Sequence, residues 1–149
     1  MTDSDITIRQ LGPADLPLLL ATPDGLFDDR IVPERAREFL YDPRSVLMAA
    51  IDEGTIVGFA SAVVTIHPDK ARPELWINEV GVTDAYQRRG IGKRIMEAIT
   101  AKARREGYSA VWVLTDMHND AACALYRSAG FAETRGIMLF EISLSDEPN

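Results

Sequence analysis

Between Arg89 and Glu106 an apolar side chain returns at every fourth residue: Ile91, Ile95, Ile99 and Ala103, with Met96 widening the stripe. Lys93, Glu97, Lys102 and Arg104 occupy other positions of the same stretch. A period near 3.6 makes this a long helix with one dry face, and Gly107 stops it. A one-sided helix has to lie on an apolar layer, and strand-like runs on both sides of it supply one. Glu74 to Val82 precedes the helix. Ala110 to Thr115 follows it, short and nearly all apolar, and reads as a strand buried on both faces.

The rest of the chain extends that layer. Ile6 to Gln10 alternates apolar and polar residues and reads as a first strand. Gly12-Pro13-Ala14-Asp15 opens a short helix carrying Leu16, Leu19 and Leu20, which Thr22 to Gly25 breaks. A second helix runs from Pro33 to Tyr41 and ends at Asp42-Pro43. Val46 to Ile51 and Thr55 to Ile66 are β-rich runs joined by the hairpin signal Asp52-Glu53-Gly54. Asn119 or Asp120 caps a last helix to Ala129, Gly130 ends it, and Phe131 to Leu144 supplies one or two final strands. The order predicts an α/β fold around a mixed sheet flanked by helices. With no repeat, low-complexity tract or long linker, residues 1–149 are expected to form a single domain.

Composition narrows the function. The chain has 149 residues, 46% hydrophobic, enough for a core without staples, and its single cysteine, Cys123, excludes an internal disulfide or a cysteine-rich zinc site. His67 and His118 stand far apart, so no metal site is expected. No apolar run reaches the ~18 residues of a membrane span. The acidic start, Met1 to Asp5, lacks the basic and apolar regions of a signal peptide, so a cytoplasmic, membrane-free protein is expected. Sixteen basic against 23 acidic residues give a net charge of −7, which disfavours nucleic acid and suits a cationic partner. Arg88, Arg89, Lys93, Arg94, Lys102, Arg104 and Arg105 nonetheless crowd one segment, so a local anion site can sit on an acidic protein.

That segment carries the chemistry. In Gln87-Arg88-Arg89-Gly90-Ile91-Gly92-Lys93 a glycine-containing loop runs straight into the long helix. The first turn of a helix leaves about four amide N–H groups without partners, and the helix dipole adds partial positive charge there. Gly90 and Gly92 let an anion approach the backbone, and Arg88, Arg89 and Lys93 add full charges, so the segment predicts a diphosphate cradle. A P-loop requires a different glycine spacing, and a dinucleotide fingerprint requires a small residue where Ile95 stands.

Val80-Gly81-Val82 followed by Gln87-Arg88-Arg89-Gly90-Ile91-Gly92 resembles the acyl-coenzyme A signature of the GCN5-related N-acetyltransferase (GNAT) superfamily, Gln/Arg-x-x-Gly-x-Gly/Ala. Downstream, Asn119-Asp120-Ala121-Ala122-Cys123-Ala124-Leu125-Tyr126 and Gly130-Phe131 resemble that superfamily's Asn-x-x-Ala-x-x-Leu-Tyr-x-x-x-Gly-Phe tract. The resemblance implies a sheet that splays between its fourth and fifth strands, with acetyl-CoA in the gap. Backbone groups of Val80, Gly81 and Val82 then pair with the pantetheine arm, amides from Gln87 to Lys93 (Ile91 among them) hold the pyrophosphate, and Asn119 contacts the cofactor. It implies direct transfer of acetyl to an amine in a ternary complex. Glu79 is the candidate base, a free N–H at a bulge near Val80 the donor to the oxyanion, and Tyr126 the candidate acid for the departing thiolate.

Arg72 to Val82, Gly25-Leu26-Phe27-Asp28, and Asp116 ahead of Asn119-Asp120 look like the aminoglycoside 3-N-acetyltransferases of the GNAT type. That likeness implies antibiotic resistance by acetylation of a polycation, with Asp28, Asp29, Glu79, Asp116 and Asp120 as an acidic rim. Glu79 stands where that family is expected to carry aspartate, and Asn119 where it carries an acid. Acetylation of another small amine or a peptide amine, and a non-catalytic acyl-CoA-binding module, are the alternatives. Amphipathic final strands are compatible with a homodimer.

Overall fold

In the sheet, alternate residues divide two cores between opposite faces. The computed structural model describes residues 5–145. Five strands stand in the order β1 (Thr7–Gln10), β2 (Ser45–Asp52), β3 (Thr55–Thr65), β4 (Glu74–Val82) and β5 (Val111–Val113). The first four are antiparallel neighbours; β4 and β5 are parallel. The crossover between them carries the amphipathic helix, α3 (Ile91–Arg105). Leu47 and Ala49 of β2 face one way, towards α1 (Leu16–Leu20) and α2 (Pro33–Tyr41). Met48 and Ala50 face the other, where Ile91, Ile95, Met96, Ile99 and Ala103 of α3 are all buried. The apolar stripe of the sequence is therefore the middle of the larger core. Gly58 of β3 allows the close approach: a Cβ there would lie 3.1 Å from Cδ1 of Ile95.

Turns follow the local residue types. The β2–β3 hairpin closes through Glu53 (φ 47°) and Gly54 (φ 75°), the left-handed pair that a two-residue turn of this hand requires. Gly107, at φ 75°, ends α3. Asn119 caps α4 (Asp120–Ser128), its side-chain oxygen accepting from the amide of Ala122 at 3.1 Å. No helix among the described residues is long and apolar enough to cross a membrane.

Two expectations fail at the C-terminal side. Phe131 to Leu144 forms no strand: residues 131–145 run without ladder bonds, and the large apolar side chains from Ile137 to Leu144 lie in the open. β5 is half-buried rather than covered on both faces, and α4 contains no fully buried residue. Both differences have one cause: a strand needs a neighbour, and the outer edge of β5 has none among the described residues.

Candidate active site

β4 pairs with β3 along its whole length but with β5 only from Leu75 to Ile77. From Asn78 to Val82 its outer edge has no strand beside it among the described residues. This is the splay between the fourth and fifth strands, and it leaves backbone N–H and C=O groups facing a gap. The bulge falls at Asn78, two residues before Val80, where it was expected: Ile77 pairs with Ala62 and Glu79 with Ser61, leaving Asn78 unpaired. The extra residue reverses the alternation. Leu75 and Ile77 face α3 before it, Val80 and Val82 face α3 after it, and Glu79 turns to the opposite side of the sheet.

There Glu79 meets the loop that follows α1. The amide of Asp28 donates to its Oε1 at 2.7 Å. Partial burial pushes the Glu79 carboxyl above the usual glutamate range; the Asp28 hydrogen bond opposes this, and the charges of Asp28 and Asp29 add to it. A cavity of ≈ 280 Å³ opens beside it, lined by Phe27, Asp29, Arg35, Phe39, Ser61 and Glu79 among others. Phe27 stacks on Phe59 with ring centroids 3.8 Å apart, which anchors the loop to the sheet. Gly81 permits that docking, because a Cβ there would lie 2.8 Å from the carbonyl oxygen of Leu26 and 2.9 Å from the Phe59 ring. Of the five predicted rim acids, Asp28, Asp29 and Glu79 come together. Asp116 and Asp120 belong to the turn that opens α4, where Asp116 accepts from the amide of His118 at 2.7 Å.

The cradle segment begins where β4 ends. Gln87 folds back, its Nε2 donating to the carbonyl of Val82 at 3.0 Å and to Asp84 at 3.2 Å. Arg88 (φ 62°) and Gly90 (φ 75°) are both left-handed. For arginine that conformation costs about 1–2 kcal/mol, so the surrounding loop has to enforce it. Gly90 caps α3 with no side-chain acceptor, and the first α-helical bond runs from the amide of Arg94 to its carbonyl at 3.1 Å. The amides of Ile91, Gly92 and Lys93 thus have no partner within the helix, and they form the first turn that an anion can use. A Cβ on Gly90 would meet nothing within 4 Å, while one on Gly92 would press on Leu125 of α4 at 3.2 Å. Gly92 therefore has a packing role besides its predicted one.

Two residues that support the cradle escaped the sequence reading. The hydroxyl of Tyr86 donates to the buried carboxylate of Asp52 at 2.6 Å, and the guanidinium of Arg89 lies 4.8 Å over the Tyr86 ring. The hairpin turn thereby fixes the loop. No local signal marks a contact between residues so distant in sequence; a buried aspartate is legible only once the fold brings the tyrosine to it. Arg94, grouped with the basic cluster in sequence, reaches away to the carbonyl of Ile6 at 2.9 Å. Lys93 pairs with Glu97 at 3.9 Å on the helix surface. Tyr126 projects from α4 towards the α3-side core, half-buried, with its ring 6.2 Å from that of Phe131. Burial, and then the Cys123 thiol nearby, raise its hydroxyl above the usual tyrosine range, so it keeps its proton at neutral pH. The oxygen of Asn119 is already engaged by its cap.

The model of the acetyltransferase (GNAT) family matches residues 16–131. The chain belongs to that family. N-alpha-acetyltransferase RimI of Mycobacterium tuberculosis is 36% identical over 129 residues, 85% of this chain and 78% of that protein. Mycothiol acetyltransferase of Paenarthrobacter aurescens is 37% identical over 100 residues, 65% of this chain but 30% of that protein, so the chain spans less than a third of this longer relative. Among solved structures, the aminoglycoside acetyltransferase meta-AAC0020 from an uncultured soil metagenomic sample superposes with a TM-score of 0.84 at 25% identity, covering 96% of this chain and 99% of that one.

GNAT acetyltransferases use acetyl-CoA, and structural neighbours of this fold hold CoA. The residues here fit such a group on two counts: the unpaired edge of β4 from Asn78 to Val82, and the uncapped first turn of α3 behind a left-handed loop. When bound, acetyl-CoA supplies an activated acetyl thioester.

Proposed function

We propose that this GNAT enzyme acetylates a primary amine of a cationic small molecule, an aminoglycoside at its 3-amino group, by direct transfer in a ternary complex. The observation that carries the reading is the trio of Glu79, Asp28 and Asp29 at the mouth of the splayed sheet, with Glu79 held by the Asp28 amide at 2.7 Å. Three clustered carboxylates attract and orient a polycation. Glu79 holds the ammonium and removes its proton, directly or through water, and its raised affinity for protons brings it closer to the pKa a general base needs at neutral pH. Exposed amides of β4 from Asn78 to Val82 lie along the gap and are the candidates for polarising the thioester carbonyl. Tyr126 offers a hydrogen bond to the departing sulfur. Tyr126 holds its proton more tightly than an ordinary tyrosine, so it hydrogen-bonds the departing sulfur, and the second proton that the attacking nitrogen gives up as the C–S bond breaks ends on that sulfur. The likeness to meta-AAC0020, whose solved complexes include one with sisomicin, supports an aminoglycoside.

The relationship to RimI favours a second reading, acetylation of a peptide's N-terminal amine. A thiol-release assay with acetyl-CoA separates the two. Turnover with sisomicin and gentamicin but not with alanine-ended peptides supports the first, and the reverse pattern supports the second. NMR of the product reads which amine carries the acetyl group. Intersecting rather than parallel double-reciprocal lines are expected for direct transfer.

A further inference from the structure

The two largest side chains of the molecule pack against each other instead of in a core. Trp76 of β4 and Trp112 of β5 are cross-strand partners, with ring centroids 5.1 Å apart and planes inclined by 6°. Parallel rings touch at about 3.5–4 Å, so at 5.1 Å they are slid past one another, and part of each face is left uncovered by its partner. Both residues are half-buried, and neither is part of the core on either face of the sheet. Leu75 and Ile77 beside Trp76, like Val111 and Val113 beside Trp112, pack on the α3 side. The indoles therefore stand on the opposite face, the one to which the bulge at Asn78 turns Glu79.

The ladder register sets the pair next to the Glu79 cavity. On β3, Ser61 pairs with Glu79 and lines the cavity. Val63, two residues or about 7 Å further along, pairs with Trp76. At ≈ 280 Å³ the cavity falls just short of the about 300–1,000 Å³ that encloses a drug-sized ligand. It takes one ring of a several-ring amine and leaves the next ring outside, over the sheet. Carboxylates flank the indoles along β4. Glu79 stands on one side; on the other is Glu74, two residues before Trp76 and so on its face, with Oε2 3.7 Å from Nε2 of His67. An aromatic face between two acids suits a cationic ring and repels an anionic one.

We infer that the Trp76–Trp112 pair is a second subsite for the acceptor, holding by cation–π contact the protonated amino-sugar ring next to the one being acetylated. The inference rests on the reading that the acceptor is a polycationic small molecule. Trp112 also borders a trough outside β5, whereas Trp76 stands on the strand of Glu79 and carries the larger share of the contact. The subsite selects among acceptors: a several-ring amine gains from it, and a single-ring amine does not.

These are the only two tryptophans of the chain, so all indole emission reports on the pair. Titration of the unaltered protein with sisomicin is expected to change that emission with saturation. Deoxystreptamine, the single ring that carries the 3-amino group, is expected to leave it unchanged, and an equal change with both ligands overturns the inference. Unchanged emission with sisomicin that is nonetheless acetylated overturns the subsite and leaves the proposed function standing. If sisomicin is not acetylated at all, the underlying reading falls and the subsite falls with it. Trp76→Leu keeps apolar bulk but removes the π face. It is expected to raise the KM for sisomicin about 2–30-fold, the range of a cation–π contact, with little change in kcat, and Trp76→Tyr is expected to recover most of the loss. A parent-like KM in Trp76→Leu overturns the inference. So does an equal rise in the KM for acetyl-CoA, which marks a merely structural role. The titration uses the unaltered chain, so the test stands if a variant fails to fold.

Discussion

At the scale of single residues, Glu79 is held by opposing effects that predict its behaviour. Its folded carboxyl binds a proton more tightly than a free glutamate, mainly through burial. The acid limb of the kcat/KM profile is therefore expected above the ordinary carboxylate range. The same shift affects stability with a definite sign. Stability linked to Glu79 is fully present below the ordinary glutamate value and is lost as pH rises through the raised folded value. Glu79→Gln keeps an acceptor for the Asp28 amide and never ionises. Its melting temperature should rise relative to the parent between pH 4 and pH 7, while turnover falls by about 10²–10⁴-fold, the usual contribution of a positioned base. Parent-like turnover in that variant would remove Glu79 from the base role. Tyr126→Phe should lower kcat with little change in acetyl-CoA affinity, since the ring and its packing stay. An unchanged kcat would leave the sulfur's hydrogen bond without a donor on α4.

Elements set where those residues can act. The bulge at Asn78 is the device that turns Glu79 away from the α3 side, and Gly81 is what lets the Leu26–Asp28 loop close down upon it. Gly81→Ala places a methyl 2.8 Å from a backbone oxygen that has no flexible end to move, so the loop must lift. The Asp28–Glu79 hydrogen bond weakens with it, and the expected outcome is a larger rise in KM for the amine than for acetyl-CoA. Equal effects on both substrates would argue against this account of the loop. On the cradle side, Tyr86→Phe leaves the buried Asp52 carboxylate without its 2.6 Å partner. A carboxylate left short of a donor is destabilising, so chemical denaturation should show a lower midpoint. Acetyl-CoA affinity should fall too as the loop that carries Arg88 and Arg89 loses its tie to the hairpin, a change calorimetry reads directly.

Across the whole molecule, the larger core lies between α3 and the sheet, with Ile95, Met96 and Ile99 fully enclosed, and its C-terminal side is open. Ile95→Ala should cost about 2–5 kcal/mol, the range for removing a buried aliphatic side chain. Hydrogen exchange should be slow in β2 and β3, where both faces of the sheet are covered. By sequence alone the elements from β1 to α4 were legible, because each rests on near-neighbour pattern: a period of two or four, a proline start, a glycine stop. The segment proposed as an anion cradle stands out for the same reason, since helix start, glycines and arginines adjoin one another. The identity of Glu79 as an acid beside the cofactor strand came from motif resemblance, but its direction did not. One unpaired residue reverses the face of everything after it, and strand register belongs to two strands at once. Nor did local pattern reveal Asp52 beneath Tyr86. The final strands mark the boundary most plainly. Alternation from Met138 to Leu144 states that these residues require cover. The tertiary structure leaves them open, because a strand needs an edge beside it and edges are assembled from segments distant in sequence.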